Sequence, residues 1–235
     1  MVCLPAPGFG LKNVFRRVIL SGAFCALLCS AEEDLSWIQS FTAPATAENL
    51  ANGEAGRQNQ LNWDPRFAKL LEDAFPQRQY FWFDQGKFPA VADLVHLFTG
   101  VPGYALLDGH RFALITGCVP HDCGDRGFLW IDLESSGKPL LVFAATGSIN
   151  SDRSDSGTSL IHLRLFASQE LNWQKLPPEF KKSFLRWWDQ TTQVWTKYSP
   201  EKVALITLIQ PSGQEVDLSP GLFGFGSTGG QGQRP

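Results

Sequence analysis

The chain has 235 residues and a formal net charge of −3, from 20 basic and 23 acidic side chains. It contains no basic cluster of the kind that follows a phosphate backbone, which argues against a nucleic-acid partner. The mildly acidic balance suits a basic protein partner, because opposite charges steer encounter, although it serves ordinary solubility equally well. The length suffices for one large domain, or for one domain with an extension.

The first 31 residues have the pattern of a secretory signal peptide. An apolar run over 18–28 follows three positive side chains, Lys12, Arg16 and Arg17. Cys29 and Ala31 are the small residues expected at −3 and −1, so we expect cleavage after Ala31. The apolar run is too short for a membrane span. The sequence therefore predicts an exported protein without membrane attachment after cleavage, the alternative being an uncleaved N-terminal anchor.

The expected cleavage changes the cysteine count. Of the five cysteines, only Cys118 and Cys123 lie after Ala31. In an oxidising compartment such a pair forms a disulfide, which is the prediction here. Removal of 31 from 235 residues leaves 204, with 17 basic and 23 acidic side chains and a formal charge of −6.

The first part of the exported chain is poor in structural signals. The segment 32–60 is rich in Ala, Asn, Gln and Thr, and we expect it to be loosely ordered. A helix is predicted from Asp64, which can cap it, and from Pro65, which suits its first turn. One face of this helix is apolar and contains Phe67, Leu70, Leu71 and Ala74.

From about Tyr104 the pattern is that of β-structure. Five strand-length apolar runs lie between 104 and 167 and are separated by turn residues. Asp108-Gly109 is a signal for a tight hairpin. Successive strands joined by short loops predict an antiparallel meander.

A second helix is predicted over 179–197, followed by a strand over 203–209. One face of the predicted helix carries a mostly aromatic stripe, formed by Phe180, Phe184, Trp187, Trp188, Thr191, Trp195 and Tyr198. Stacked aromatic side chains can bind sugars, but a stripe of this spacing more often packs on a sheet, which is the interpretation we prefer. Together these elements predict an α+β fold, a central antiparallel β-sheet with helices packed on it.

The segment 118–123 places two cysteines around Val119-Pro120-His121-Asp122. A disulfide here closes a small ring, and Pro120 fixes its own φ and favours an extended Val119. The sequence thus predicts a stiff, protruding loop that presents His121. Three other interpretations remain open at this point. They are a metal site with Cys118, His121 and Cys123 as ligands, a redox pair, and a purely structural disulfide turn.

Motifs for catalysis are missing from the sequence. No Gly-x-Ser-x-Gly elbow occurs, and no pair of acids can be singled out as glycosidase machinery. We therefore expect neither enzymatic activity nor a cofactor.

The loop resembles the hallmark of the Ivy family, inhibitors of vertebrate lysozyme, which reads Cys-Lys-Pro-His-Asp-Cys. Here it is Cys118-Val119-Pro120-His121-Asp122-Cys123, and the following Gly124 also fits. The runs DGHRFALITG at 108–117 and VFAATGS at 142–148 are similar to the family pattern as well. The resemblance is specific over about 105–148. Val119 departs from the family's usual Lys and so removes a charge from the loop.

The resemblance implies export to the Gram-negative periplasm, homodimer formation and a c-type lysozyme as protein partner. It also implies that the loop enters the lysozyme cleft, where His121 meets both catalytic carboxylates. A retaining glycosidase holds its two carboxyls about 5–5.5 Å apart, and the two nitrogens of one imidazole lie on opposite sides of the ring. A single histidine can therefore bond both acids, and two anions favour its imidazolium form.

These expectations divide the chain into five parts. Residues 1–31 are the signal peptide and 32–60 the loosely ordered segment. Residues 61–170 are the Ivy-like domain, 171–218 a helix-strand extension and 219–235 a disordered glycine-rich tail. Two other functions remain open. One is a peptidoglycan-binding module that holds glycan on the aromatic helix, and the other is a regulator of endogenous lytic transglycosylases.

Overall fold

The computed structural model describes residues 34–52, 55–78, 89–135, 138–148, 158–195 and 200–225. In these residues the chain forms an eight-stranded sheet whose spatial order follows the chain order. The strands are β1 (Ala43–Pro44), β2 (Val101–Asp108), β3 (Phe112–Val119), β4 (Asp122–Asp132), β5 (Leu140–Ser148), β6 (Ser159–Ala167), β7 (Glu201–Ile209) and β8 (Glu215–Leu218). The expected signal peptide, 1–31, lies outside the described residues.

Five α-helices accompany the sheet in the described part of the chain. They are α1 (Ala47–Asn52), α2 (Gln58–Asn62), α3 (Pro65–Ala74), α4 (Val91–Phe98) and α5 (Pro178–Trp195). Helix α3 begins as predicted, because the Asp64 carboxylate accepts a hydrogen bond from the backbone N–H of Arg66 at 2.9 Å and Pro65 occupies the first turn. Among the described helices, none is long and apolar enough to cross a membrane.

The strand directions agree with the prediction in the middle of the sheet and differ from it at two places. Strands β2 to β6 form the predicted antiparallel meander. However, β1 runs parallel to β2, and β6 runs parallel to β7. The predicted α+β fold is therefore confirmed, but the sheet is mixed rather than antiparallel. Parallel neighbours need a long crossover, and α5 lies within the connection from β6 to β7.

Helices cover both faces of the sheet. Successive strand residues point to opposite faces, so each strand contributes to two cores. On one face, Ala105, Ile115, Leu129 and Phe143 pack with buried side chains of α3 and α4. On the other face, Leu106, Leu114, Phe128 and Trp130 pack with α5. This second contact confirms that the aromatic stripe of α5 docks on the sheet.

The described aromatic side chains of α5 are buried in this contact with the sheet. The side chains of Phe180, Phe184, Trp187 and Trp188 are all buried. The rings of Phe128 and Trp187 are stacked with centroids 5.4 Å apart. The side chains of Trp195 and Tyr198 lie outside the described residues.

The segments that flank the expected inhibitor domain contribute to the same body. Within 32–60, Ile38 is buried and β1 pairs with β2. Within 171–218, β7 and β8 continue the sheet beyond β6. The structure describes 219–225, where a 3-10 helix over Pro220–Phe223 buries Phe223, whereas 226–235 lie outside the described residues.

Candidate functional site

The hexapeptide 118–123 forms the end of the β3–β4 hairpin. Val119 pairs with Asp122, so only Pro120 and His121 stand in the turn. The predicted disulfide between Cys118 and Cys123 is present, with the two Cα atoms 4.9 Å apart. The sequence predicts a ring of four residues outside regular pairing, but two of the four belong to the ladder. We call residues 118–123 the hairpin tip.

The pairing register shifts directly behind the hairpin tip. Cys118 pairs with Arg126, whereas its neighbour Val119 pairs with Asp122. Three residues of β4, 123–125, therefore have no partner on β3 and form a bulge. Bulges turn a strand and re-aim its side chains, and this one lets the disulfide cross the end of the hairpin.

His121 has a backbone conformation that few side chains adopt. Its φ is +66°, in the left-handed region, where histidine is more frequent than most residues. A proline followed by a residue of positive φ is the pattern of a type II turn. Pro120, His121 and Asp122 are all exposed. The turn thus leaves the imidazole exposed at the end of the hairpin.

The end of helix α4 supports the hairpin tip from one side. A Cβ on Gly100 would lie 3.0 Å from the ring carbons Cγ and Cδ of Pro120. Behind the tip, a Cβ on Gly117 would approach the Cα of Thr99 to 2.7 Å. The absence of a side chain at Gly117 therefore allows the backbone of Thr99, after α4, to lie directly on β3. Val119 packs against the core on this side of the sheet.

A buried ion pair supports the base of the hairpin from the other side. The Arg126 guanidinium donates to Glu201 Oε2 of β7 at 2.7 Å, and the two side chains are only 3% and 8% exposed. The guanidinium carbon lies 5.4 Å from the centre of the Trp188 ring, a distance at which a cation is attracted by the π-face. No local sequence signal predicts this pair, because 75 residues separate its members.

Two carboxyl groups differ in environment at the hairpin tip. Asp122 is exposed, whereas Asp125 in the bulge is half-buried. Burial and, to a smaller extent, the nearby Asp122 raise the pKa of Asp125 to about 6, against the opposing effect of Arg126. The tip therefore gains negative charge as the pH rises through 6.

The geometry decides between some of the earlier interpretations. A metal site formed by Cys118, His121 and Cys123 needs free thiolates, but both sulfur atoms are joined in the disulfide. The nearest other histidine in sequence, His110, stands at the opposite end of β3, eight residues or about 25 Å away. No group of three or more potential metal ligands occurs among the described residues. The redox pair and the structural disulfide turn both contain the Cys118–Cys123 disulfide, so the structure is compatible with either interpretation.

The hairpin tip combines three chemical features. It offers an exposed imidazole, an exposed carboxylate and a proline on a supported turn. Neither protein-family models, nor curated proteins, nor solved structures match this chain. Its function is therefore inferred from its own residues.

Proposed function

We propose that the chain is an inhibitor of c-type lysozyme that is exported to the periplasm and blocks the enzyme's active site with the hairpin tip. The observation that carries this proposal is the exposed His121 at the apex of a disulfide-closed turn. The residues around it resemble the Ivy hallmark at five of six positions. In this proposal the chain makes and breaks no covalent bond, so none of its residues is catalytic.

The shape of the hairpin tip supports insertion into a cleft. Two adjacent strands lie about 4.8 Å apart, and only Pro120 and His121 connect them at the end. Such an end is narrow enough for a groove that holds a single sugar chain. Once inserted, it excludes both the glycan and the water that hydrolysis needs.

The chemistry of His121 fits two carboxylates. The acids of a retaining glycosidase are about 5–5.5 Å apart, and an imidazolium donates one N–H from each side of its ring. A charge-assisted hydrogen bond to each acid would prevent catalysis, because one acid must donate a proton to the leaving group and the other must act as the nucleophile on the sugar. The exposed Asp122 adds negative charge that a basic enzyme attracts.

The support of the hairpin tip favours tight binding. A loop that is already held in its bound conformation loses less conformational entropy when it binds. Three restraints act here: the disulfide, the contact of Pro120 with Gly100, and the packing of Val119 on the core. The valine that replaces the family's lysine thus contributes packing where the family has a charge.

The peptidoglycan-binding alternative lacks support. Its glycan platform requires aromatic rings on the surface of α5, but the described aromatic side chains of that helix are buried in the sheet contact. Regulation of an endogenous lytic transglycosylase would use the same hairpin tip against a single catalytic acid. That possibility is an outcome of the experiment below.

The proposal is tested by titrating the exported protein against purified c-type, g-type and i-type lysozymes and a lytic transglycosylase. We expect stoichiometric inhibition of the c-type enzyme and no retention on purified peptidoglycan. Inhibition of the transglycosylase alone would move the target to the cell's own enzymes. Retention on peptidoglycan without inhibition of any enzyme would contradict the proposal.

A further inference from the structure

One tryptophan stands outside both cores of the molecule. The side chain of Trp63, directly after α2, is 82% exposed, more than any other large hydrophobic side chain in the described residues. Its indole N–H donates to Asn59 Oδ1 at 3.2 Å, which holds the ring against α2. A tryptophan this exposed adds little to the stability of the fold, yet tryptophan is among the residues most enriched at the energetic centre of interfaces.

Trp63 lies close to the hairpin tip. The preceding Asn62 donates from its amide to the backbone oxygen of Thr99 at 2.9 Å. The next residue, Gly100, contacts the ring of Pro120. Adding the bonds and contacts along this path places the Cα atoms of Trp63 and Pro120 at most about 24 Å apart.

A second exposed hydrophobic side chain adjoins the same region. Val101 follows Gly100, is partly exposed and pairs with Cys118 of the hairpin tip. Apart from Trp63 and Val101, the described residues include one further exposed large hydrophobic side chain, Leu222 of the C-terminal 3-10 helix. Exposed apolar surface in the described structure is thus concentrated beside the tip.

We infer that Trp63 and Val101 form a second contact surface, next to Pro120 of the hairpin tip, for the enzyme whose active site the tip enters. This inference rests on the proposed function and adds the rim of the cleft to the contact at the catalytic acids. A standard interface covers about 800 Å² on each partner, a disc roughly 30 Å across. A disc of this width covers two Cα atoms at most about 24 Å apart, so Trp63 and Pro120 fit within one footprint.

Charge favours the enzyme over a second copy of this chain as the occupant. The chain is acidic overall, with a formal charge of −3, and Asp122 and Asp125 lie at the tip beside the apolar side chains. Pairing two copies through this surface would bring like charges together, whereas a basic lysozyme brings opposite charges. The surface therefore combines an indole anchor with an acidic rim that complements a basic glycosidase.

The experiment measures the affinity of Trp63→Ala for a c-type lysozyme by surface plasmon resonance and by inhibition of cell-wall lysis. We expect affinity to fall about 10- to 100-fold, mainly through faster dissociation. Trp63→Phe should lose less. Leu222→Ala, which removes an exposed apolar side chain far along the chain, is the matched control and should bind as the wild type. Because the indole is exposed, the melting temperature of Trp63→Ala should stay unchanged.

The outcomes separate this inference from the proposed function. If wild type inhibits and His121→Ala does not, but Trp63→Ala inhibits as tightly as wild type, the second contact surface is wrong and the tip stands alone. If Trp63→Ala changes only the sedimentation coefficient of the free protein, the surface joins two copies of the chain, which also overturns the inference. If wild type binds no lysozyme, both proposals fail together.

Discussion

Strand β3 is flanked by two turns, each of which contains a histidine of positive φ. The two turns differ in the contacts that other parts of the chain make with them. At one end, His110 has a φ of +69°, and at the other, His121 has a φ of +66°. Both histidines are exposed, and both stand in tight hairpin turns. The two histidines therefore share a positive φ and access to solvent, although three residues form the turn at His110 and two form the turn at His121.

The difference lies in the restraints around each turn. At the His121 end there are a disulfide, the contact with Gly100 and the buried Arg126–Glu201 pair. At the His110 end, a Cβ on Gly109 would meet nothing within 4 Å, and the adjoining Arg111–Asp132 pair has its arginine 44% exposed. Local sequence suffices to make such a turn and to close its disulfide, whereas the other two restraints at the His121 end come from residues distant in sequence. These additional restraints favour the His121 end over the His110 end as the place of binding.

The largest expected effect is on stability, at the base of the hairpin tip. Glu201→Gln leaves the buried Arg126 without its charged partner and should lower the free energy of unfolding by about 3–5 kcal/mol. Arg111→Gln removes a half-exposed arginine from Asp132, whose carboxylate still accepts from the backbone N–H of Glu134, and should cost less, about 1–2 kcal/mol. Urea denaturation followed by tryptophan fluorescence measures both. Equal losses in the two variants would show that the ends of β3 are anchored alike.

The next effect is on binding, at the apex of each turn. His121→Ala should weaken the inhibition of c-type lysozyme by about 30- to several-thousand-fold, because it removes a buried charge-assisted partner worth about 2–5 kcal/mol. His110→Ala introduces the same residue at the same kind of backbone position and should inhibit as the wild type. His121→Asn, which tolerates a positive φ and still donates, should lose less than Ala. Undiminished inhibition by His121→Ala would rule out the active-site mechanism.

A smaller effect is expected from opening the disulfide. Replacing Cys118 and Cys123 together by Ser should lower stability by about 2 kcal/mol from the chain-entropy estimate for so small a ring. The sheet should persist, and inhibition should weaken by about tenfold because the turn is less preorganised. The wild-type protein cleaved after Ala31 contains only Cys118 and Cys123, so its titration under denaturing conditions without reductant should find no free thiol. If the double variant inhibits as tightly as wild type, the other restraints alone hold the turn.

The smallest effect concerns pH and the bulge behind the tip. The pKa of Asp125 is raised to about 6 by burial, above its ordinary value of 3.8, so the folded chain binds this proton more tightly than the unfolded chain. Stability is therefore lost as the pH rises from about 4 to 6 and stays lower above that window. Asp125→Asn should raise the melting temperature at pH 7.5 by about 2 °C and have no effect near pH 3.5.

The reference for this prediction is an acid in another turn. Glu134→Gln changes an exposed acid after β4, near the His110 end of the sheet, and should leave the pH profile as it is in the wild type. Differential scanning calorimetry across pH 3.5–8 compares the three proteins. A shift of equal size in Glu134→Gln would assign the effect to net charge rather than to the bulge.

Local sequence signals determined most of the central fold and the position of the site. The strand runs after Tyr104, the Asp108-Gly109 turn and the cap at Asp64 are decided by side-chain alternation, turn chemistry and capping over a few residues. The pairing of Cys118 with Cys123 also follows from sequence alone, since no other cysteine remains after the expected cleavage. Each of these features depends on neighbours within one element or one turn.

Only the tertiary structure decided how the hairpin tip is held. The parallel alignment of β6 with β7 brings Glu201 beneath Arg126, and α4 brings Gly100 against Pro120. Neither contact has a local signal, because the partners lie tens of residues apart and meet only once the sheet and its helices are assembled. The sequence therefore specifies which residues form the turn, and long-range packing decides how rigidly the turn presents them.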